Sequence, residues 1–175
     1  MIALMKWILR IFAVCVFLLL LLGVIGLLMP RDQSFTVSTQ IAEPPQAVWN
    51  VLTDCAAQPA WRPKLRSCAR AADEDGRTVY QLTYASGRIL KIEVVESIPP
   101  ENIEVRVLHL PAGGRLAWIF NLTPLAGGTQ VSLTQNDEMK NLLARFIFRA
   151  VFRNQHPSDF LHALARKFDS SSAPS

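Results

Sequence analysis

Histidine and cysteine are scarce in this chain, three of each among 175 residues, and none of them falls in a C-x-x-C pair or a His/Cys cluster. The spacings that hold zinc are therefore missing, and no metal site or cofactor is expected. Also missing are a basic arm and any alternation of arginine with aromatic residues. The net charge of +4 owes part of its excess to Lys6 and Arg10 alone. A surface that tracks a phosphate backbone needs such a stripe, so nucleic acid is excluded as a partner. No serine sits in a nucleophile elbow, and "PAGG" and "AGG" read as hairpin turns rather than phosphate loops. Internal repeats are absent too, and the length suits one domain with little left over.

Charge is wholly lacking from one stretch, Ile11–Met29. As a helix it would extend about 28 Å at ~1.5 Å per residue, close to the ~30 Å hydrocarbon core of a bilayer. A cleaved signal peptide has a shorter apolar core and small residues at its cleavage site, whereas this run ends in "GLLMPRD". A lipoprotein cysteine at Cys15 is ruled out by bulky Val14 before it and the apolar turns after it. Residues 1–30 are thus expected to be a retained signal-anchor. Lys6 and Arg10 lie upstream, while Arg31 downstream is offset by Asp32, which predicts a cytoplasmic N-terminus and a domain outside the cytoplasm. The expected location is a bacterial inner membrane, crossed once. Cys55 and Cys68 would then meet oxidising conditions, where they form either a disulfide or two small buried hydrophobes.

Past a connector at residues 31–34, "FTVSTQIA" alternates as a strand. In "EPPQAVWNVLTD" the prolines suit a first helical turn, and Val48, Val51 and Leu52 recur at helical spacing, which predicts a short helix ending near Asp54. "QPAWRPKL" reads as a corner, because proline disfavours helical geometry in the residue before it. Six further strands follow, separated by "DEDG", "ASG", "PPEN", "PAGG" and "AGG". Links this short make neighbouring strands antiparallel. From about Asp137 to Phe168 the period turns helical, with one apolar stripe at Leu142–Val151 and another at Phe160–Phe168, interrupted at Pro157. Residues 170–175 read as a disordered tail. The expected fold class is α+β, a curved antiparallel sheet of about seven strands covered by a long C-terminal helix.

This order of elements resembles the START-like helix-grip superfamily, also called SRPBCC or polyketide cyclase/dehydrase-like. "IAEPPQAVWNVLTD" is similar to its strand-to-helix junction. Asp54, Pro59, Trp61 and Pro63 match its D-x-x-x-x-P-x-W-x-P corner, and "FNLTPLAGGTQVSLTQ" is similar to its penultimate hairpin. The resemblance spans residues 35–169 and does not extend to the anchor. It implies a cavity beneath the terminal helix with the tryptophan corner, Trp61, at its mouth. It also implies a hydrophobic ligand such as a lipid, sterol or polyketide, with cyclisation or dehydration catalysed by a minority of members.

Strand alternation supplies the candidate lining: Tyr80, Leu82, Tyr84, Ile92, Val107, His109, Trp118 and Phe120, with Tyr80, Tyr84 and His109 as polar tips. The opposite parity carries Gln81, Lys91, Glu93, Glu104 and Arg106, expected to face solvent. For His109 and the tyrosines a purely structural role competes, and no adjacent partner marks His109 as an acid or base. On the terminal helix Phe148 and Phe152 lie opposite the core stripe beside Arg145, Arg149 and Arg153, a face suited either to anionic lipid headgroups or to packing within the fold. The function expected is membrane-anchored binding of a hydrophobic, lipid-like molecule. A cyclase/dehydratase and a protein-docking module are the alternatives.

Overall fold

The computed structural model describes residues 6, 7, 10, 12, 14, 16 and 17, then 32–71, 76–110, 114–138 and 157–171. The chain divides into two units, 1–31 and 32–175. In the first, the described residues are helical, and Trp7, Phe12, Val14 and Phe17 are exposed. Most of Ile11–Met29 falls outside the described residues, and among those described no helix is long and apolar enough to cross a membrane.

The second unit is built on seven antiparallel strands: β1 (Asp32–Ile41), β2 (Leu65–Arg70), β3 (Val79–Tyr84), β4 (Ile89–Ile98), β5 (Asn102–Leu108), β6 (Arg115–Leu125) and β7 (Gly128–Glu138). Their order across the sheet is β1-β7-β6-β5-β4-β3-β2. Strands β2 to β7 form a meander, as short turns require, and β1 closes on β7. The chain between β1 and β2 therefore has to travel from one edge of the sheet to the other. It does so through two short helices, α1 (Pro45–Thr53) and α2 (Gln58–Trp61).

Pro44 caps α1 and Pro45 opens it, at positions whose N–H groups have no helical acceptor in any case. One face of α1 buries Val48, Trp49 and Leu52. The expected corner at "QPAWRPKL" contains a turn of helix, because Pro59 sits in the first turn of α2 where proline is tolerated. Asp54 prepares it by accepting the Ala57 N–H at Oδ1, 3.1 Å away. At the far end of the sheet the turn into β7 needs Gly128, whose φ of +147° is open to glycine. A Cβ there would run into the Ile41 carbonyl oxygen.

The terminal helix α3 (Pro157–Ser171) packs against β1, β7 and α2. Pro157 is the first residue of α3 as described, and the residues before it, 139–156, lie outside the described residues. Asp137 and Glu138, expected at the start of a long helix, instead end β7 opposite Gln33 and Asp32. Strand pairing thus prevails there over the apolar period that begins downstream. The connector at 31–34 is corrected in the same way, since Asp32–Ser34 belong to β1. Ser170 and Ser171 extend α3 into the expected tail. The stripe at 142–151 and the candidate membrane face of Arg145, Phe148, Arg149, Phe152 and Arg153 lie outside the described residues.

Leu161, Ala163 and Leu164 of α3 meet Val48, Trp49 and Leu52 of α1 and the sheet residues Ile41, Val105, Phe120, Leu122, Val131 and Leu133 in the main core. A second cluster, Leu65, Cys68 and Leu82 with Cys55, Tyr80 and Tyr84 against it, fills the β2–β3 edge. Cys55 and Cys68 are joined by a disulfide, with Cα atoms 5.3 Å apart, tying the end of α1 to β2.

Candidate functional site

Pairing across the sheet places rows of side chains on one face. Val94, Val105, Trp118 and Gln135 form one such row, and Ile103, Phe120 and Leu133 form the next. Between this face and α3 lies a cavity of about 750 Å³, lined mainly by apolar side chains. That volume is within the ~300–1,000 Å³ range of small-molecule sites. From the sequence-predicted lining it takes Leu82, Tyr84, Ile92, Trp118 and Phe120.

The remaining candidates go elsewhere. Tyr80 packs into the β2–β3 cluster, and Val107 is buried in the sheet away from the cavity. His109 lies beyond the end of β5, exposed and with φ of +56°, because alternation ceases to govern direction once the strand has ended. Trp61, expected at the cavity mouth, is buried, does not line the cavity, and stacks edge-on against Phe160, with ring centroids 5.4 Å apart. Its indole N–H has no acceptor among the described residues. Glu93, expected to face solvent, is only 5% exposed. Its Oε1 accepts from Arg77 Nη1 at 2.8 Å, so an ion pair compensates a position that alternation assigned to water. A bulge between Val94 and Glu96 then shifts the alternation of β4, leaving Val95 and Ile98 exposed.

The sequence-based lining misses several polar groups, among them Gln135 on the sheet, His162, Arg166 and Asp169 on α3, and Arg62. Arg62 caps α2, its N–H bonding back to the Gln58 carbonyl at 3.0 Å, and its side chain turns inward. Gln58 Nε2 donates to the Leu52 carbonyl at 3.0 Å, closing the end of α1. This leaves Gln58 Oε1 to accept from Arg62 Nη1 at 2.7 Å. The guanidinium carbon lies 4.9 Å from the centre of the Phe160 ring, and the side chain hydrogen-bonds Tyr84. Burial pushes the Arg62 guanidinium below its ordinary pKa, and Tyr84 opposes the shift. Phe160 in turn tilts against Phe120 at 5.2 Å, so α2, α3 and the sheet converge on one aromatic group beside one cation.

A second polar chain runs along the sheet wall. Trp118 Nε1 donates to Gln135 Oε1 at 3.0 Å, and Gln135 Nε2 donates to both oxygens of Asp137, at 3.0 and 3.1 Å. Burial raises the Asp137 pKa and the Gln135 hydrogen bond works against it. At the mouth Lys64 and Asp159 pair at 3.0 Å between exposed side chains, a contact of little energetic weight. Among the described residues no group of three His, Cys, Asp or Glu side chains could hold a metal ion. Gln135 and Leu133 were accessible to the alternation argument through Val131, but Arg62 was not, since a corner has no period.

Solved structures with this architecture include a protein from Mesorhizobium loti, 22% identical, covering 81% of this chain and 100% of its own, with a TM-score of 0.61. The Zhui aromatase/cyclase from Streptomyces sp. R1128 is 19% identical over 79% of this chain and 94% of its own, with a TM-score of 0.60. Norcoclaurine synthase from Thalictrum flavum is 11% identical over 81% and 97%, with a TM-score of 0.65. At such identities the likeness is one of fold. No match was found among curated protein sequences. The model of the family described as polyketide cyclase / dehydrase and lipid transport matches residues 32–168, and the chain belongs to that family.

Proposed function

We propose that this protein binds a hydrophobic, lipid-like small molecule between its sheet and α3, held at the outer face of a bacterial cytoplasmic membrane by its N-terminal run. The observation that carries the reading is the cavity of about 750 Å³, whose sheet wall is mainly apolar and whose helix wall sets Phe160, Ala163 and Ala165 beside Asp159, His162, Arg166 and Asp169. Burying a ligand there removes apolar surface from water at roughly 25 cal/mol per Å². The membrane placement draws on the uncharged run Ile11–Met29 and on the exposure of Phe12, Val14 and Phe17 within it. The Cys55–Cys68 bridge suits an oxidising compartment.

A second reading is a cyclase/dehydratase, as the name of the Streptomyces aromatase/cyclase suggests. It is favoured by the Arg62–Tyr84 contact at the cavity wall, which places a hydroxyl beside a cation where a reacting oxygen could sit.

Binding is tested by native mass spectrometry of the full chain released from detergent micelles. The parent protein is expected to carry one apolar molecule, co-purified or added as oleic acid. Ile103→Trp, which fills the cavity from β5, is expected to lose it while keeping its circular dichroism spectrum. A parent chain that takes up no apolar molecule, or a plugged variant that binds as well as the parent, refutes the reading.

A further inference from the structure

Arg62 is a permanently charged group in a poorly hydrated place, and its described partners are all neutral: the Gln58 amide oxygen, Tyr84 and the Phe160 ring. Among the described residues no carboxylate pairs with it; Asp159, the nearest acid in sequence to Phe160, is engaged by Lys64. A guanidinium keeps its proton at any ordinary pH, so it cannot escape the cost of burial by becoming neutral. Burying a charge without a counter-charge is expensive, and the cost is offset only when an oppositely charged group completes the site.

The guanidinium also has spare capacity. It carries five N–H donors in a planar fork, and the Gln58 oxygen takes up Nη1. Gln58 is held in turn by the Leu52 carbonyl, which fixes the orientation of the fork, and the ring of Phe160 supports it from α3. Arg62 lines the same cavity as Ile92, Ile103, Val105 and Phe120, which present only hydrocarbon. The site therefore sets a cation of fixed orientation beside an apolar sheet wall; of the other cations in the lining, Lys64 is paired with Asp159 and Arg166 comes from α3.

We infer that the ligand is an anionic amphiphile, a hydrocarbon or aromatic body ending in an oxyanion, and that Arg62 is the residue that receives that oxyanion. This rests on the binding reading above and specifies the chemical class of its ligand. A carboxylate accepts two parallel N–H bonds from the fork, and a phosphate monoester can do the same. Tyr84, already hydrogen-bonded to Arg62, helps hold the fork in place.

The test compares oleic acid, methyl oleate and oleyl phosphate by native mass spectrometry of the full chain, each titrated against the parent and its variants. The acid is expected to bind roughly ten- to hundredfold more tightly than its methyl ester, the range that a charge-assisted hydrogen bond supports. Arg62→Gln should bring the acid down to the affinity of the ester and leave the ester unchanged. Arg62→Lys, which keeps the charge without the fork, should retain part of the preference. Tyr84→Phe should reduce it less than Arg62→Gln does. A stronger preference for oleate than for oleyl phosphate identifies a carboxylate ligand, and the reverse a phosphate, both within the same class. Equal binding of acid and ester by the parent overturns the inference while leaving the binding reading intact. So does an acid preference that survives Arg62→Gln or disappears only in Arg166→Gln, which removes the cation that α3 contributes to the cavity lining. Should Arg62→Gln fail to fold by circular dichroism, the Arg62→Lys and Tyr84→Phe titrations decide, and unchanged preference in both overturns it. If neither oleate nor its ester binds, the binding reading falls and this one with it.

Discussion

Glu93 and Asp137 are both carboxylates turned away from open water, and their surroundings treat them differently. Glu93 has a cation at 2.8 Å, whereas among the described residues Asp137 receives the neutral amide of Gln135. Desolvation therefore raises the Asp137 pKa above its ordinary value, with the amide bond partly opposing it. A carboxyl whose folded pKa is raised binds its proton better in the folded state than in the unfolded one. Well below the ordinary carboxylate range both states are protonated and nothing is lost. As pH rises through the raised folded value the folded state must accept the charge, stability declines, and the decline is complete above that value. Asp137→Asn keeps an acceptor for Gln135 without the charge. It is expected to unfold at a higher urea concentration than the parent at neutral pH, with the difference vanishing in acid. Denaturation midpoints followed by circular dichroism across that interval check both the sign and the window. Neither acid's setting was legible from alternation. Parity placed Glu93 in water, and Asp137 was assigned to a helix.

The strands were the most legible elements because each announces itself locally: alternating side chains between turns rich in Gly, Pro, Asn and Asp. Their number and antiparallel order follow from links too short to permit a crossover. The helices were harder. "QPAWRPKL" carries two prolines and looks like a break, yet α2 forms there because Pro59 occupies a first-turn position. The same turn delivers Arg62 to the cavity, so the misread element and the missed site residue are one error. What holds this turn in place is the bond from Cys55, just after α1, to Cys68 in β2, closing a loop with a sequence separation of 13. A loop of about that size contributes on the order of 3 kcal/mol. Cys55→Ala with Cys68→Ala is expected to lower stability by that amount, measured by urea denaturation. Adding a reductant to the parent should reproduce the loss, while adding it to the double variant should change nothing. Binding of the apolar ligand should weaken as well, since Gln58 and Arg62 lie inside the closed loop.

For the molecule as a whole, the proposed membrane attachment carries a prediction about which side of the membrane the domain occupies. Lys6 and Arg10 precede the uncharged run, and if that run crosses a membrane the positive-inside tendency would put them in the cytoplasm. Alkaline phosphatase fused after Ser175 is therefore expected to be active and a fluorescent cytosolic reporter at the same place to be dark. The opposite pair of results would reverse the orientation and remove the argument from an oxidising compartment. Sequence alone determined the fold class, the seven strands, the family and the apolar character of one sheet face, because alternation and turn chemistry are written within a few residues of where they act. Tertiary structure decided the rest: that Tyr80 and Val107 miss the cavity, that β7 keeps Asp137, and that Arg62 joins the cavity lining with only neutral partners among the described residues. These depend on which distant segments meet, on the bulge that shifts the alternation of β4 and on the point where strand pairing gives out. Residues far apart in the chain, such as Gln58, Tyr84 and Phe160, become neighbours only when the sheet and α3 close around them.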